Sequence, residues 1–120
     1  MYEWYRNIQK IVEEIDGCIQ SHSDEALTLN RLAGELGYST FYVSRKFKEI
    51  SGMQLRDYLR YRKLAFALKK IRDTDMGILD IALNYGFSSH EAFTRAFKEA
   101  YGMTPSEYRQ NPVPVVLRTV

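Results

Sequence analysis

The sequence predicts an all-α fold: two helix-turn-helix subdomains joined by a long central helix. Three observations lead there. The stretch GYSTFYVSRKFKEISGM, Gly37 to Met53, returns near the C-terminus as GFSSHEAFTRAFKEAYGM, Gly86 to Met103, and an internal repeat constrains architecture before anything else does. Each copy reads as helix, tight glycine-containing turn, helix. Between the copies, residues 54–72 hold no Gly or Pro and are rich in good helix formers.

The two copies align closely. Gly37 and Tyr38 match Gly86 and Phe87 at an offset of 49, and from Ser39 and Ser89 onward the offset is 50, so the second turn holds one extra residue. With that shift Arg45, Phe47, Lys48, Glu49, Gly52 and Met53 meet Arg95, Phe97, Lys98, Glu99, Gly102 and Met103. Leu32-Ala33 pairs with Ile81-Ala82 upstream, and Tyr58 with Tyr108 downstream.

In chain order, the first segment runs from about Trp4 to Ser21. Ile8, Ile11, Val12, Ile15 and Ile19 recur at the spacing of an amphipathic helix, and its opposite face is acidic. It is expected to lie as a scaffold on the first helix-turn-helix, its outer face turned from DNA. That unit is predicted over about 28–52. Thr28 is the expected N-cap of its first helix and Ser39 of its second, because a hydroxyl can accept the free N–H groups of a first turn. Gly37 stands where a left-handed residue ends a helix.

The connecting helix is predicted over about 54–73, with Leu55, Leu59, Leu64, Leu68 and Ile71 as its buried stripe. Nineteen residues at ~1.5 Å each make a rod of roughly 28 Å. Such a rod would set the two units about one turn of B-DNA apart, ~34 Å centre to centre. Seven basic residues decorate it, most of them solvated or packed along their stems; Arg56 and Arg60, near its start, are candidates for phosphate contact. The second unit is predicted over about 78–101. Ser88 and Glu91 have capping-box spacing, which leaves two readings of Glu91: a capping partner or a base contact. Thr104-Pro105-Ser106-Glu107 then opens a last helix to about Gln110, with Thr as N-cap and Pro in first position.

The second helix of each unit carries the functional signal. At 100° per residue Val43, Phe47 and Ile50 share the core face, while Phe41, Ser44, Arg45 and Lys48 lie opposite, flanked by Thr40. In the second copy Phe93, Phe97 and Ala100 face inward; Glu91, Thr94, Arg95 and Lys98 face out, flanked by His90. Arg can hold guanine through two hydrogen bonds, and Ser or Thr can donate or accept at several base edges. On one basic helix such residues are more simply a solvated face. The same layout on both copies favours reading of major-groove bases. Lys48 and Lys98 fall to the phosphates.

Composition bounds the alternatives. The chain has 120 residues, 45% hydrophobic, which suits one compact domain. The net charge is only +2, but it is unevenly spread: residues 1–26 sum to −4 and residues 27–72 to +8. An asymmetric field of this kind steers a phosphate backbone to one side. Cys18 is the only cysteine, so neither an internal disulfide nor a cysteine zinc cluster can form. Its plain reading is a small buried side chain, its sharper one a redox sensor. There is no signal peptide and no apolar run near 18 residues, so a soluble cytoplasmic protein is expected, with no membrane partner. The two histidines, His22 and His90, lie far apart in the sequence, and no Gly-rich phosphate loop is present, so no enzyme, cofactor or metal site is predicted.

The twin GYS and GFS units, the helix carrying YLRYRKLAFAL and the closing ILDIALNYGFSSHEAFTRAFKEAYGMTPSEYR together resemble the AraC/XylS family of bacterial transcription regulators. The resemblance runs from about Ile8 to Gln110. It implies a seven-helix, two-subdomain DNA-binding domain over 1–111. It implies base-reading positions at Phe41, Ser44 and Arg45, and at His90, Glu91, Thr94 and Arg95. It further implies a cytoplasmic, nucleoid-associated regulator, usually an activator, that touches promoter DNA and RNA polymerase. His90 and Glu91 stand where some relatives carry glutamine, so no target sequence carries over.

Two other functions fit parts of the sequence. A helical protein-interaction module would show no salt-dependent duplex binding. The DNA-binding part of a chimeric DNA-repair regulator is the second, but that repair activity needs a zinc-bound cysteine cluster that Cys18 alone cannot supply. The tail NPVPVVLRTV is apolar and β-prone, and its prolines cannot continue a helix. Residues 112–120 are therefore expected to form an extended linker toward a C-terminal effector domain outside this chain, through which a small-molecule signal would act. The alternative is a stand-alone regulator with an apolar tail.

Overall fold

The structure is a computed structural model that describes residues 2–21 and 25–113. Among these residues it contains seven helices and no strand. In chain order they are α1 (Tyr2–Gln20), α2 (Glu25–Leu36), α3 (Thr40–Ser51), α4 (Leu55–Asp73), α5 (Ile78–Asn84), α6 (His90–Tyr101) and α7 (Pro105–Gln110). No described helix is long and apolar enough to cross a membrane. The chain divides into two compact units near Arg60, within α4.

In the first unit α1 packs on both α2 and α3. Ile8, Ile11, Ile15 and Ile19 are buried as their spacing predicts, while Val12 is half-buried. Trp4 and Cys18 extend the same stripe, because four- and three-residue steps place them on that face. Val43 and Phe47 of α3 are fully buried and meet α4 through Tyr58, whose ring lies 5.4 Å from Phe47. The Tyr58 hydroxyl donates to Asp16 Oδ1 at 3.2 Å, tying α4 to α1. Glu14 on the outer side of α1 faces Arg31 at 3.6 Å, and Lys10 faces Glu35 at 3.9 Å. These exposed pairs add little beyond orientation.

The N-cap expected at Thr28 is not there. Helix α2 begins three residues earlier, at Glu25, and the Thr28 hydroxyl donates to Cys18 Sγ at 3.4 Å. Thr28 therefore lies inside α2, with its hydroxyl turned to the neighbouring helix.

In the second unit α6 packs on α5 and α7. Phe93 and Phe97 are fully buried, ringed by Phe87, Tyr101 and Tyr108 at 4.8–6.0 Å. Ile50 and Ala100, expected to complete the inner faces of α3 and α6, are only half-buried, because each lies in the last turn of its helix. Leu59 of α4 is likewise half-buried. By contrast Ala65, Phe66 and Ala67 are buried together with Leu64 and Leu68, so α4 is enclosed there on more than one stripe. The last turn of α4 is closed by Arg109 of α7. Its Nε donates to the Ile71 carbonyl and its Nη2 to the Thr74 carbonyl, both at 3.1 Å. Within the tail, Val113 is half-buried and residues 114–120 lie outside the described residues.

Candidate nucleic-acid interface

The two turn-and-helix segments are built alike. Gly37 and Gly86 take φ of 83° and 84°, a left-handed conformation that costs glycine nothing. The amide after each glycine closes back on the preceding helix, Tyr38 N–H to Ala33 O at 2.9 Å and Phe87 N–H to Ala82 O at 3.0 Å. Each second helix then starts on a serine. Ser39 Oγ accepts from Tyr42 N–H and Ser89 Oγ from Ala92 N–H, both at 3.1 Å. The cap of α6 is therefore Ser89 rather than Ser88, which dissolves the Ser88–Glu91 capping box. Glu91 is exposed and the cap leaves its carboxylate unengaged. Both helices end alike, with Gly52 and Gly102 donating to Lys48 O and Lys98 O at 2.8 Å.

These caps aim the outer faces. On α3, Phe41 is 72% exposed, which no core requirement explains. The Arg45 guanidinium stands 6.0 Å from its ring centroid, a cation–π contact that keeps both side chains on one outward patch. Phe41, Ser44, Arg45 and Lys48 border a shallow concavity together with Gln54 and Arg56. Thr40 and Ser44 are half-buried, while Arg45, Lys48, Arg56 and Arg60 are exposed. The concavity thus gathers Phe41, Ser44, Arg45, Lys48 and Arg56 of the expected residues, without Thr40 and Arg60, and adds Gln54, which sequence periodicity had not singled out. Its signal was only its place just before a new helix.

Three aromatics brace the start of α3. Tyr38 stacks on Tyr42 at 4.8 Å, and Trp4 of α1 covers both, at 5.1 and 5.8 Å. Lys46, on the flank, is held by Glu49 at 3.2 Å and lies 5.7 Å from the Tyr42 ring, so it is drawn away from the outward patch.

On α6, His90, Glu91, Arg95 and Lys98 are exposed and Thr94 is half-buried. His90 Nδ1 and Thr94 Oγ1 are 3.4 Å apart. The Lys98 charge reaches the start of α7. There the Thr104 backbone N–H and hydroxyl hold the Glu107 carboxyl below the usual carboxylate range, and Lys98 adds to that effect.

Two units that each hold a capped helix behind a glycine turn, with a polar and basic outer face, define a double helix-turn-helix DNA-binding protein. Comparison with known proteins names the family. A family model described as a helix-turn-helix domain matches residues 32–111. The probable transcription factor PqrA of Proteus vulgaris is 42% identical over 92 residues, 77% of this chain and 75% of that protein. The regulatory protein SoxS of Escherichia coli K12 is 37% identical over 101 residues, 84% of this chain and 94% of that protein. Among solved structures, an AraC-type DNA-binding-domain regulator from Chromobacterium violaceum superposes with a TM-score of 0.69 at 26% identity, covering 88% of this chain and 96% of that one. The chain belongs to the AraC/XylS family of transcription regulators and is a sequence-specific DNA-binding protein.

Proposed function

We propose that the chain activates transcription by binding a bipartite promoter site, with α3 in one major groove and α6 in the next. The observation that carries the reading is the matched pair of outward faces, Phe41, Ser44 and Arg45 on α3, and His90, Glu91, Thr94 and Arg95 on α6, each set by the same serine cap. Arg45 and Arg95 are the bidentate guanine readers. Thr40, at the start of α3, flanks the first set. Lys48, Arg56, Arg60 and Lys98 hold phosphates and set the register. As an activator working on the bacterial nucleoid, in the cytoplasm, the protein also contacts RNA polymerase. It takes any small-molecule signal through a domain outside this chain, and performs no catalytic step itself.

Selection of bound sequences from a random duplex pool, followed by footprinting, tests this. The expected result is protection of two half-sites ~10 bp apart on one face of the duplex. Protection confined to a single major groove would overturn it.

A further inference from the structure

We propose that His90 and Thr94 read DNA as one coupled unit whose outward atom is the His90 Nε2–H donor, selecting a base edge that offers an acceptor (a purine N7, guanine O6 or thymine O4) over the cytosine amino edge. The proposal rests on the reading that α6 enters a major groove, and adds which atoms act at one position within it.

His90 is the first residue of α6 and Thr94 stands one turn further along, so the two side chains are neighbours on one face. Nδ1 and Oγ1 lie 3.4 Å apart, which engages one ring nitrogen and leaves Nε2 on the far side of the ring. His90 is exposed, whereas Thr94 is half-buried. The two nitrogens of an imidazole are not independent, because the hydrogen bond made by one decides what the other presents. When the Thr94 hydroxyl donates to Nδ1, the proton sits on Nε2 and Nε2–H faces outward. When the ring is protonated, Nδ1–H donates to Oγ1 and Nε2–H again faces outward. Only a neutral ring with its proton on Nδ1 turns Nε2 into an acceptor.

In the major groove guanine offers N7 and O6, adenine N7 and thymine O4, whereas the cytosine edge presents an amino donor that a ring N–H cannot meet. The Thr94 hydroxyl also restrains the imidazole, so less side-chain freedom is lost on docking. Removing either partner therefore undoes the same contact, and the two losses overlap instead of adding.

The site is first selected from a random duplex pool with the intact chain. His90→Ala, Thr94→Val and the double variant are then titrated against that duplex and against duplexes altered one base pair at a time. Helical melting curves confirm that each variant folds. Both single variants are expected to relax the same base pair, each weakening binding about five- to tenfold, the value of one net hydrogen bond. The double variant should fall within about twofold of the weaker single variant, as overlapping losses require. Single variants that relax different base pairs, losses that multiply in the double variant, or selection of cytosine by the ring would each overturn the proposal. Arg95→Ala separates the two levels. If it relaxes a base pair of its own, groove reading by α6 stands whatever the His90–Thr94 result. If it leaves every preference unchanged, groove reading fails and takes this proposal with it.

Discussion

Arg45 and Arg95 occupy equivalent places on α3 and α6, but their settings differ. Arg45 leans on the exposed Phe41 ring, and Phe41 is the kind of side chain that covers a thymine methyl. Arg95 shares its face with a carboxylate, Glu91, and with the linked His90 and Thr94. The two arginines should therefore read separate base pairs in different contexts. Arg45→Ala and Arg95→Ala are each expected to weaken specific binding by about 1–3 kcal/mol, each relaxing preference at its own half-site. Titration against duplexes altered singly at each position measures this. If both substitutions relaxed the same base pair, the assignment of one arginine to each half-site would be wrong.

At the scale of elements, the helices are held by their ends as much as by their faces. Arg109 caps α4 from α7 through two carbonyls. Arg109→Met keeps much of the stem but removes both donors, and should cost about 1–3 kcal/mol in a denaturant titration. The capping box of α7 adds a pH signature. Glu107 Oε1 accepts from Thr104 N–H at 2.9 Å while Thr104 Oγ1 accepts from Glu107 N–H at 3.1 Å. These bonds depress the carboxyl pKa in the folded protein. A depressed carboxylate stabilises fully above its unfolded value, about 4.3, and loses that contribution as pH falls through the folded value. Glu107→Gln should therefore lose stability relative to the parent at neutral pH, with the gap closing as pH drops below about 4. Thermal melts at neutral and acid pH check this; a gap that widened in acid would contradict the assignment.

For the molecule as a whole, the uneven charge matters more than the sum. The net charge is +2, yet residues 1–26 sum to −4 and residues 27–72, which include α3 and nearly all of α4, sum to +8, while α6 carries two basic and two acidic residues. Phosphate contacts made by such a surface weaken all sequences alike when removed. Lys48→Ala and Arg60→Ala should each reduce affinity for specific and random duplex equally, and lower the slope of log affinity against log salt by about one. A changed base preference with an unchanged slope would move either residue to the base-reading set.

Short stretches of sequence suffice for the repeat, the two helix-turn-helix units, the helix between them and the outward faces of α3 and α6. These are local properties: a glycine turn, a serine three residues before its target amide, and apolar residues at helical spacing act over one or two turns of chain. Nearly the whole set of candidate DNA-contacting residues was legible for that reason. Tertiary structure decided what depends on residues far apart in sequence. Thr28 does not cap α2 because the helix starts at Glu25, which leaves Thr28 within it and its hydroxyl donating to Cys18 on α1. The aromatic brace under α3 draws Trp4 from the far end of α1, and burial of Ala65, Phe66 and Ala67 depends on what surrounds α4 rather than on its own periodicity. Even the choice between Ser88 and Ser89 as cap was settled by the backbone of the turn, since either hydroxyl has the chemistry and only one has the geometry.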